Sequence, residues 1–501
     1  MVNSKRTIIM HMSDMHFGIP EKRQNASDRK NVQNTFIKSY AELIRTHPNW
    51  APDILVISGD IAWSASDDDY HEAENFFKEF FLVNGNKISP SQVIACFGNH
   101  DTYADPYLSI VPDISNMAFD KKMDKHIRRP SRELEPDVSK RALDCEEALL
   151  IEDVERYYHR FENAEKFCDN MGFLSLNNSS SNKMYKHAYG SCSVNGVDFI
   201  CLNTEWDFWG SKDRDAKGHL RIGLKTYQDA NRQFAYQFLP FRCGMPPRFV
   251  VFHRDLKHLH KMEQFSPNLF EFDKCVGNLI RHNDVSLNGH EHIHSIERYG
   301  AHTRIQAGTL HSTDYFEYTC NLISIPQKLI PGLNDCEVRR FSYSPSHIYD
   351  PWQIESSDFA EHFYIARLAD HSKVSALLNA IDNIDENIEV IENICSNLTD
   401  EERYVLTAIL SDKTFHEILE FVKGRKQTES AIESSNQDYA SISSGTADII
   451  ADSPMEGSAE VGPERGHEKE PTLIKVLTPD SFHEKAVPSE NSIISNNDVK
   501  Q

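Results

Sequence analysis

The sequence predicts an α/β protein built around a parallel β-sheet. Short apolar, β-branched runs alternate with helix-like segments, and three successive runs each end in Asp, Asn or His residues. Alternating strands and helices are typical of parallel sheets, and α/β folds place their active sites at the carboxyl ends of such strands. The chain of 501 residues has room for two or three structural units.

The first third of the chain carries the clearest alternation. Strands are predicted at 7–13, 53–58 and 93–97, and helices at 31–46 and 70–83. The polar residues that follow the three strands are Asp14 and His16, then Asp60, then Asn99, His100 and Asp101. Alternate residues of an extended segment point the same way, so we expect Asp14 and His16 to converge on one point.

Residues 102–190 break the alternation and are predicted to form a mainly helical insertion over the site. They include a basic cluster made of Lys121, Lys122, Lys125, Arg128, Arg129 and Arg132. This cluster has two interpretations: a solvated helix face, or a clamp for an anionic substrate such as a polynucleotide. The sequence leaves both open.

The alternation resumes after the insertion. Strands are predicted at 197–202, 248–252, 285–288, 303–307 and 319–325, with a helix at 225–238. His253 follows one of these strands, and His290 and His292 follow another. The two histidines are spaced i and i+2 like Asp14 and His16, so they too are expected to face one way.

The chain beyond residue 354 changes character. The first domain is predicted to span 1–354, and 355–424 to form a helical appendage with helices at 359–369, 374–394 and 401–423. The last of these helices begins at a capping box, Thr399–Glu402. Residues 425–501 contain 14 acidic and 7 basic residues and few apolar ones, which predicts a disordered acidic tail.

Composition limits the class of protein. A formal charge of −23 argues against indiscriminate binding of the whole protein to a nucleic-acid backbone. The ten cysteines include no Cys-x-x-Cys pair, which suits reduced thiols in the cytoplasm. The sequence shows no apolar run of signal-peptide length at its start and none of about 18 residues elsewhere, so neither secretion nor membrane contact is expected.

The residues at the strand ends indicate metal chemistry. Carboxylates, an amide and imidazoles without a thiolate suit divalent Mn, Fe, Zn or Mg ions. One carboxylate shared by two ions would hold them about 3.5–4 Å apart, where they can lower the pKa of a bridging water and clamp the oxygens of a displacement at phosphorus. Hydrolysis also needs a proton donor for the leaving group, which a histidine outside the ligand set can supply.

The ordered set of motifs resembles the five motifs of the calcineurin-like metallophosphoesterases, over roughly residues 7–325. These motifs are Asp14-x-His16, Gly59-Asp60, Gly98-Asn99-His100-Asp101, a lone His253 at a strand end, and Gly289-His290-x-His292. The resemblance implies a four-layer αββα sandwich with a dinuclear metal site at the strand ends.

The resemblance also implies a role for each site residue. One ion would be held by Asp14, His16 and His292. The other would be held by Asn99, His253 and His290, with Asp60 bridging the two. His100 would contact the phosphate and protonate the leaving group, and Asp101 would orient His100.

Two residues depart from the family pattern. Arg254 stands where many relatives have a second histidine, and it is either an added phosphate contact or a surface residue. His294 is an extra histidine past the fifth motif and is interpreted as a solvated loop residue. Since His258, His260 and His282 lie nearby in sequence, the choice of His253 as the ligand rests on its position at a strand end.

The function predicted from these features is phosphodiester hydrolysis of a nucleotide or nucleic acid by a metal-bridging hydroxide, with Mn²⁺ as the expected ion. Gly-Asn-His-Asp and Gly-Asp-Ile-Ala-Trp resemble the phosphodiesterase and nuclease branch, and differ from the motifs of Ser/Thr protein phosphatases. A nuclease would use the basic cluster, which a small-nucleotide enzyme would not need. The alternatives are a phosphomonoesterase or protein phosphatase, and an interaction module that binds a protein partner through its C-terminal helices or tail.

Overall fold

A computed structural model describes most of the chain up to residue 424. The residues that it leaves undescribed are 1–4, 21–25, 86, 103–160, 177–187, 206–219, 221, 233, 235–238, 242–243, 260–262, 265–274, 311–317, 345, 348–350, 382–383, 385, 411–414, 422 and 425–501. Most of the predicted insertion, its basic cluster and the predicted acidic tail therefore lie outside the described residues. The predictions for those segments stay predictions.

Two mixed β-sheets form the centre of the described structure. Sheet A has seven strands in the order β12-β11-β10-β1-β2-β3, with β13 also paired to β11. Its strands are β1 (Arg6–Met12), β2 (Ile54–Ser58), β3 (Val93–Cys96), β10 (Thr319–Pro326), β11 (Gly332–Tyr343), β12 (Trp352–Ile354) and β13 (Glu361–Arg367). Strands β1, β2 and β3 are parallel to one another, and the remaining pairs are antiparallel.

Sheet B has six strands in the order β4-β5-β6-β7-β9-β8. They are β4 (Tyr189–Val194), β5 (Val197–Leu202), β6 (Arg248–Val251), β7 (Val285–Asn288), β8 (Ser295–Tyr299) and β9 (His302–Gln306). Strands β5, β6, β7 and β9 are parallel, and β4 and β8 pair antiparallel at the two edges. The sheets meet at β3 and β5, where Cys96 Sγ lies 3.1 Å from the carbonyl oxygen of Leu202.

Helices pack on the sheets in the pattern expected of an αββα sandwich. They are α1 (Ala26–Thr46), α2 (Asp67–Val83), α3 (Glu162–Met171), α4 (Leu224–Asn231), α5 (Val276–Arg281), α6 (Ser372–Ile381), α7 (Ile388–Ser396) and α8 (Asp400–Leu410). On sheet A, α1 packs against β12 and α2, and α2 packs against α3; on sheet B, α4 covers β4 and β5, and α5 covers β7. None of the described helices combines the length and the apolar character needed to cross a bilayer.

The apolar runs that predicted the central strands are buried on both faces. Every residue of β2 and β3 is buried, as is every residue of β6 and β7. Parallel strands covered on both sides need continuous apolar runs rather than alternation, which is why these runs are readable in the sequence. All the strands predicted in the sequence are present, with ends that differ from the prediction by at most one residue.

The predicted helix at 359–369 is wrong, because most of this segment is strand β13 of sheet A. β13 pairs antiparallel with β11, from Glu361 opposite Val338 to Arg367 opposite Gly332. Both strands alternate buried and solvent-facing residues over much of their length, a weaker signal than the unbroken apolar runs. Sheet A therefore continues past residue 354, where the first domain was predicted to end.

The predicted helices after residue 370 are present but differently divided. The segment 374–394 holds two helices, α6 and α7, rather than one. α8 begins at the predicted capping box, in which the backbone N–H of Thr399 donates to Glu402 Oε2 at 2.8 Å and that of Glu402 donates to Thr399 Oγ1 at 3.2 Å. The two bonds satisfy amide groups that a helix start otherwise leaves open.

A buried ion pair joins β13 to sheet B. Arg367, the last residue of β13, donates from Nη1 to Asp284 Oδ1 at 2.7 Å and from Nη2 to Asp284 Oδ2 at 2.8 Å. Asp284 precedes β7 and also accepts the backbone N–H of Arg248 at 2.9 Å. Both charged side chains are fully buried, so each needs the opposite charge of the other to offset the hydration that it loses on burial.

We expect the substitution Arg367→Met to destabilise the protein by about 3–5 kcal/mol, because it leaves the Asp284 carboxylate buried without its ionic partner. The free energy of unfolding from urea titration measures the loss. Arg45→Met is the control, since Arg45 pairs with Glu42 on an exposed helix surface and its loss should change the free energy of unfolding little. Equal stabilities of the two variants would contradict a structural role for the buried pair.

Candidate metal centre

The seven side chains predicted as metal ligands lie together where parallel strands of both sheets end. Asp14 and His16 follow β1, Asp60 follows β2, Asn99 follows β3, His253 follows β6, and His290 and His292 follow β7. Within the described residues they include two groups whose ligand atoms all lie within 4.8 Å of one another: Asp14, His16 and His292, and Asp60, His253 and His290. These are the groupings that the family resemblance implies.

The first group surrounds a space of the size an ion needs. His292 Nε2 lies 3.1 Å from Asp14 Oδ1, and His16 Nε2 lies 3.3 Å from His292 Nε2. Two ligands about 2.1 Å from one ion and at right angles to each other would be roughly 3 Å apart. Asp14 Oδ1 is buried and has no polar neighbour closer than the His292 imidazole among the described residues, so a cation placed between the two would satisfy the carboxylate.

The second group contains an amide as well as the carboxylate and imidazoles. His253 Nε2 lies 3.2 Å from Asp60 Oδ2 and 3.1 Å from Asn99 Oδ1. The same Asp60 oxygen is 3.9 Å from His16 Nε2 in the first group. Asp60 therefore stands between the two groups, which is the position expected of a bridging carboxylate.

The tautomer of His253 is fixed by the backbone. His253 Nδ1 lies 2.9 Å from the carbonyl oxygen of Ser58, which can only accept, so Nδ1 carries a proton. Nε2 then faces the oxygens of Asp60 and Asn99. In the neutral ring the Nε2 lone pair of His253 would repel the lone pairs of these oxygens. A proton on Nε2 or a metal ion between these atoms removes the repulsion. Such an arrangement is typical of histidines that bind metal through Nε2.

The pKa shifts show that the site favours positive charge. Burial alone would raise the pKa values of Asp14 and Asp60, but neighbouring imidazoles outweigh it and hold both below their ordinary range. Burial would lower the pKa of His253, yet the Asp60 carboxylate raises it to about 10. A field that binds a proton this tightly also attracts a divalent cation.

Two of the other imidazoles are neutral. Burial lowers the pKa of His16 to about 3. Burial, together with the charges of Arg254 and His253, holds the pKa of His290 well below its ordinary value. Neutral imidazole is the form that offers a lone pair to a metal, so the surroundings of these residues suit ligands.

Five of the predicted ligands have an unusual backbone conformation. Their φ angles are positive: Asp14 54°, His16 47°, Asp60 53°, His290 74° and His292 58°. Each such residue costs about 1–3 kcal/mol and persists where the surroundings hold it, commonly at functional sites. The expected reason for convergence was therefore wrong for both i, i+2 pairs: turns with left-handed residues, rather than extended segments, bring these side chains together.

The glycines of three motifs make room for ligands of other motifs. A Cβ atom added at Gly59 would lie 2.7 Å from His253 Nδ1, and one at Gly289 would lie 2.5 Å from Asp14 Oδ2. A Cβ at Gly98 would collide with the carboxylate of Asp60. Glycine is required at these positions because each backbone touches a ligand that comes from elsewhere in the chain.

His100 lies beside the ligand groups and is held by Trp63. Its Nδ1 donates to the carbonyl oxygen of Trp63 at 2.6 Å, and its ring packs on the indole with centroids 4.6 Å apart. Its backbone N–H donates to Asp60 Oδ1 at 2.8 Å. With Nδ1 committed to the carbonyl, Nε2 is the nitrogen that remains for proton transfer.

Asp101, predicted to orient His100, is bonded to the backbone around that residue rather than to its ring. The Asp101 carboxylate accepts the backbone N–H groups of Ile61, Ala62 and Gly98, and the Tyr70 hydroxyl. These bonds connect the loop after β3, which carries Asp101, to the backbone just before Trp63. The carbonyl group of Trp63 in turn orients His100. Asp101 therefore acts on His100 through the loop, because its two oxygens are occupied by other donors.

Arg254 is not a surface residue, since its side chain is fully buried. Its Nε donates to Glu205 Oε1 at 2.7 Å, and Nη1 lies 3.3 Å from His290 Nε2. Glu205, also buried, is held by its backbone bond to Asn203 Oδ1 at 2.9 Å. A guanidinium–carboxylate pair thus lies against a predicted ligand.

Sequence reasoning missed several residues that shape this site. Trp63 stood in the second motif without a role, and Glu205 followed a predicted strand without one. Backbone acceptors such as the carbonyl oxygens of Ser58 and Trp63 leave no signal in a sequence. His294, predicted to be solvated, has a side chain only 7% exposed and bonded at both nitrogens.

The sequence matches a known protein family. A sequence model of the family described as calcineurin-like phosphoesterase matches residues 7–294. No curated protein matches the chain.

Solved structures of similar fold include a purple acid phosphatase from yellow lupin (Lupinus luteus) seeds. It is 12% identical, with a TM-score of 0.36, over 73% of this chain and 55% of that one. A dimetal phosphatase from Danio rerio is 8% identical, with a TM-score of 0.31, over 67% of this chain and 95% of that one. The family match spans more than half of the chain, and its segment contains every predicted ligand. The chain therefore belongs to the calcineurin-like phosphoesterase family.

Proposed function

We propose that this protein is a phosphodiesterase that uses two divalent cations, with Mn²⁺ the expected ion, to hydrolyse a nucleotide or nucleic-acid substrate. Family membership indicates a metal-dependent hydrolase of phosphate esters. The observation that carries the proposal is the pair of ligand groups that Asp60 joins, with His100 beside them. All seven predicted metal ligands are present, which argues against a protein that uses this fold only to bind other proteins.

In this proposal the ligand groups hold the ions, and the other residues handle the substrate. Asp14, His16 and His292 would hold one ion, and Asn99, His253 and His290 the other, with Asp60 shared. When bound, the ions supply Lewis acidity that activates water and neutralises charge developing on the phosphoryl group. His100 then gives its Nε2 proton to the leaving oxygen, while the Trp63 carbonyl holds its Nδ1 in place.

The charges around the site support a diester rather than a monoester. The Arg254 guanidinium lies beside the ligand His290, but Glu205 lies 2.7 Å from it and offsets its charge. A singly charged diester needs less fixed positive charge than a doubly charged monoester. The buried Arg254–Glu205 pair therefore favours the diester among the residues that the structure describes.

The compartment also belongs to the proposal. All eight cysteines in the described part of the chain are free thiols, in line with the predicted cytoplasmic location. A nucleic-acid substrate would engage the basic cluster of the insertion, and a small nucleotide would not.

The first test is Mn²⁺-dependent hydrolysis of bis-p-nitrophenyl phosphate beside p-nitrophenyl phosphate. We expect the diester to be preferred, and Asp60→Ala to abolish turnover because it removes the shared ligand. Preference for the monoester would contradict the proposal and indicate a phosphatase. Binding of two metal equivalents without turnover of either compound would favour an interaction module.

The role of His100 predicts a dependence on the leaving group. His100→Ala should lower kcat by about 10²–10⁴-fold for a dinucleoside monophosphate, whose alkoxide leaving group needs a proton. The loss should be much smaller for bis-p-nitrophenyl phosphate, because p-nitrophenolate leaves without one. Equal losses for the two substrates would contradict general-acid catalysis by His100.

Gly289→Ala should prevent metal binding, because the new Cβ would collide with Ser13 Oγ and lie 2.5 Å from Asp14 Oδ2, so that both residues must move. Metal content after dialysis against Mn²⁺ measures the effect, beside activity. The matched control is Gly424→Ala, where the added Cβ meets nothing within 4 Å. Full metal content in Gly289→Ala would show that the Gly289–Asp14 contact is dispensable.

Glu205→Gln should shift the substrate preference toward monoesters by roughly tenfold, on the order of 1–2 kcal/mol, because it removes a buried negative charge beside Arg254. The ratio of kcat/KM for p-nitrophenyl phosphate and its diester measures the shift. Glu291→Gln is the control, since that carboxylate pairs with Lys257 and His258 instead. An unchanged ratio in Glu205→Gln would argue against a role for the charge balance of the Arg254–Glu205 pair in substrate preference.

A further inference from the structure

The segment 289–294, which carries His290 and His292, is held at its far end by His294. His294 Nδ1 lies 2.8 Å from Asn321 Oδ1, and its Nε2 lies 3.2 Å from Glu361 Oε1. Both partner atoms are acceptors, so the N–H of the ring has an oxygen to donate to in either tautomer. The ring is thereby fixed between β10 and β13 of sheet A.

The orientation of the Asn321 amide is set by a separate bond. Asn321 Nδ2 donates to the carbonyl oxygen of Gln306 at 3.1 Å, which directs Oδ1 toward His294. The side chain of Gln306 in turn donates to the carbonyl oxygen of Ile293 at 2.9 Å. The two residues that follow His292 are therefore both held, one through its backbone and one through its side chain.

Glu361 enters this contact from far along the chain. It is the first residue of β13, 67 positions after His294 and beyond the segment 7–294 that matches the family. Arg298 of β8 supports it, with Nη2 3.7 Å from Glu361 Oε2 and Nε donating to the carbonyl oxygen of His362 at 3.0 Å. Glu361 is thus tied to sheet B at the point where it meets His294.

His292 depends on this contact more than the other ligands do. Its side chain is 24% exposed, against 3% for His16 and 0% for His253. His290 is anchored independently, because its backbone N–H donates to Asp14 Oδ2 at 2.9 Å and the preceding Gly289 donates to the carbonyl oxygen of His253 at 3.0 Å. The segment after His290 is held on one side of His292 by Glu291, which pairs with His258 and Lys257, and on the other side by Ile293 and His294.

We propose that Glu361 is a positioning residue which, through His294, sets the affinity of the site for the ion held by Asp14, His16 and His292. The inference rests on the proposed two-ion function and adds a residue outside the family segment to it. Residues that orient metal ligands commonly change metal affinity 10–100-fold. The ion held by Asp60, Asn99, His253 and His290 should be affected much less.

The test is a Mn²⁺ binding isotherm of the full chain, with three variants. Glu361→Ala removes the oxygen that faces His294 Nε2, and Glu361→Gln keeps an amide oxygen that can accept in its place. Asp335→Ala is the control. Asp335 pairs with His362 at 2.9 Å on the same two strands, with both side chains half exposed, and does not reach the loop. Activity toward the diester at limiting and saturating Mn²⁺ is measured in parallel, as is the thermal unfolding midpoint without metal.

In Glu361→Ala we expect one of two Mn²⁺ equivalents to bind about 10–100-fold more weakly. Activity should fall at limiting Mn²⁺ and recover at saturation. Glu361→Gln should restore most of the affinity, and Asp335→Ala should match the wild type. If Glu361→Ala does not fold, His294→Gln replaces it, with the same loss expected.

Equal weakening of the binding of both ions, or no weakening of either, would overturn the inference. Loss of affinity in Asp335→Ala to the same degree would also overturn it, since any disturbance of the β11–β13 pair would then suffice. A wild-type protein that binds fewer than two ions would instead refute the proposed function. The two failures are thereby distinguished.

Discussion

The whole site depends on placing two carboxylates, Asp14 and Asp60, in one buried space. Two buried negative charges repel each other and lose their hydration, so positive charge must be supplied nearby. The surrounding imidazoles supply part of it, as the raised pKa of His253 shows. The left-handed turns and the motif glycines follow from the same requirement, because they let these groups approach from five different strands.

The central strands and the ligands could be predicted because they leave local signals. Parallel strands buried on both faces must be continuously apolar, and a polar residue directly after such a run stands out. β11 and β13 gave no such signal, since their alternating patterns also fit other structures. The error at 359–369 arose where tertiary pairing with β11 decides the conformation and local composition does not.

The geometry behind the ligands could not be predicted in the same way. The identity of Asp14 and His16 was readable, but their positive φ angles were not, and a regular strand would have been the simpler expectation. The partners of His100 and His253 are carbonyl oxygens, which every residue possesses. Asp101 shows the same limit, because three of the groups that donate to its carboxylate are backbone N–H groups.

The positive φ angles of the ligands have an evolutionary consequence. At these positions glycine would relieve the strain that Asp14, His16 and His292 carry, so losing a ligand side chain can stabilise the fold while it destroys the site. Selection for activity must therefore work continuously against selection for stability at the same residues. A descendant protein that no longer needed the activity would lose these ligands by substitutions that stabilise the fold, and every intermediate sequence would still fold.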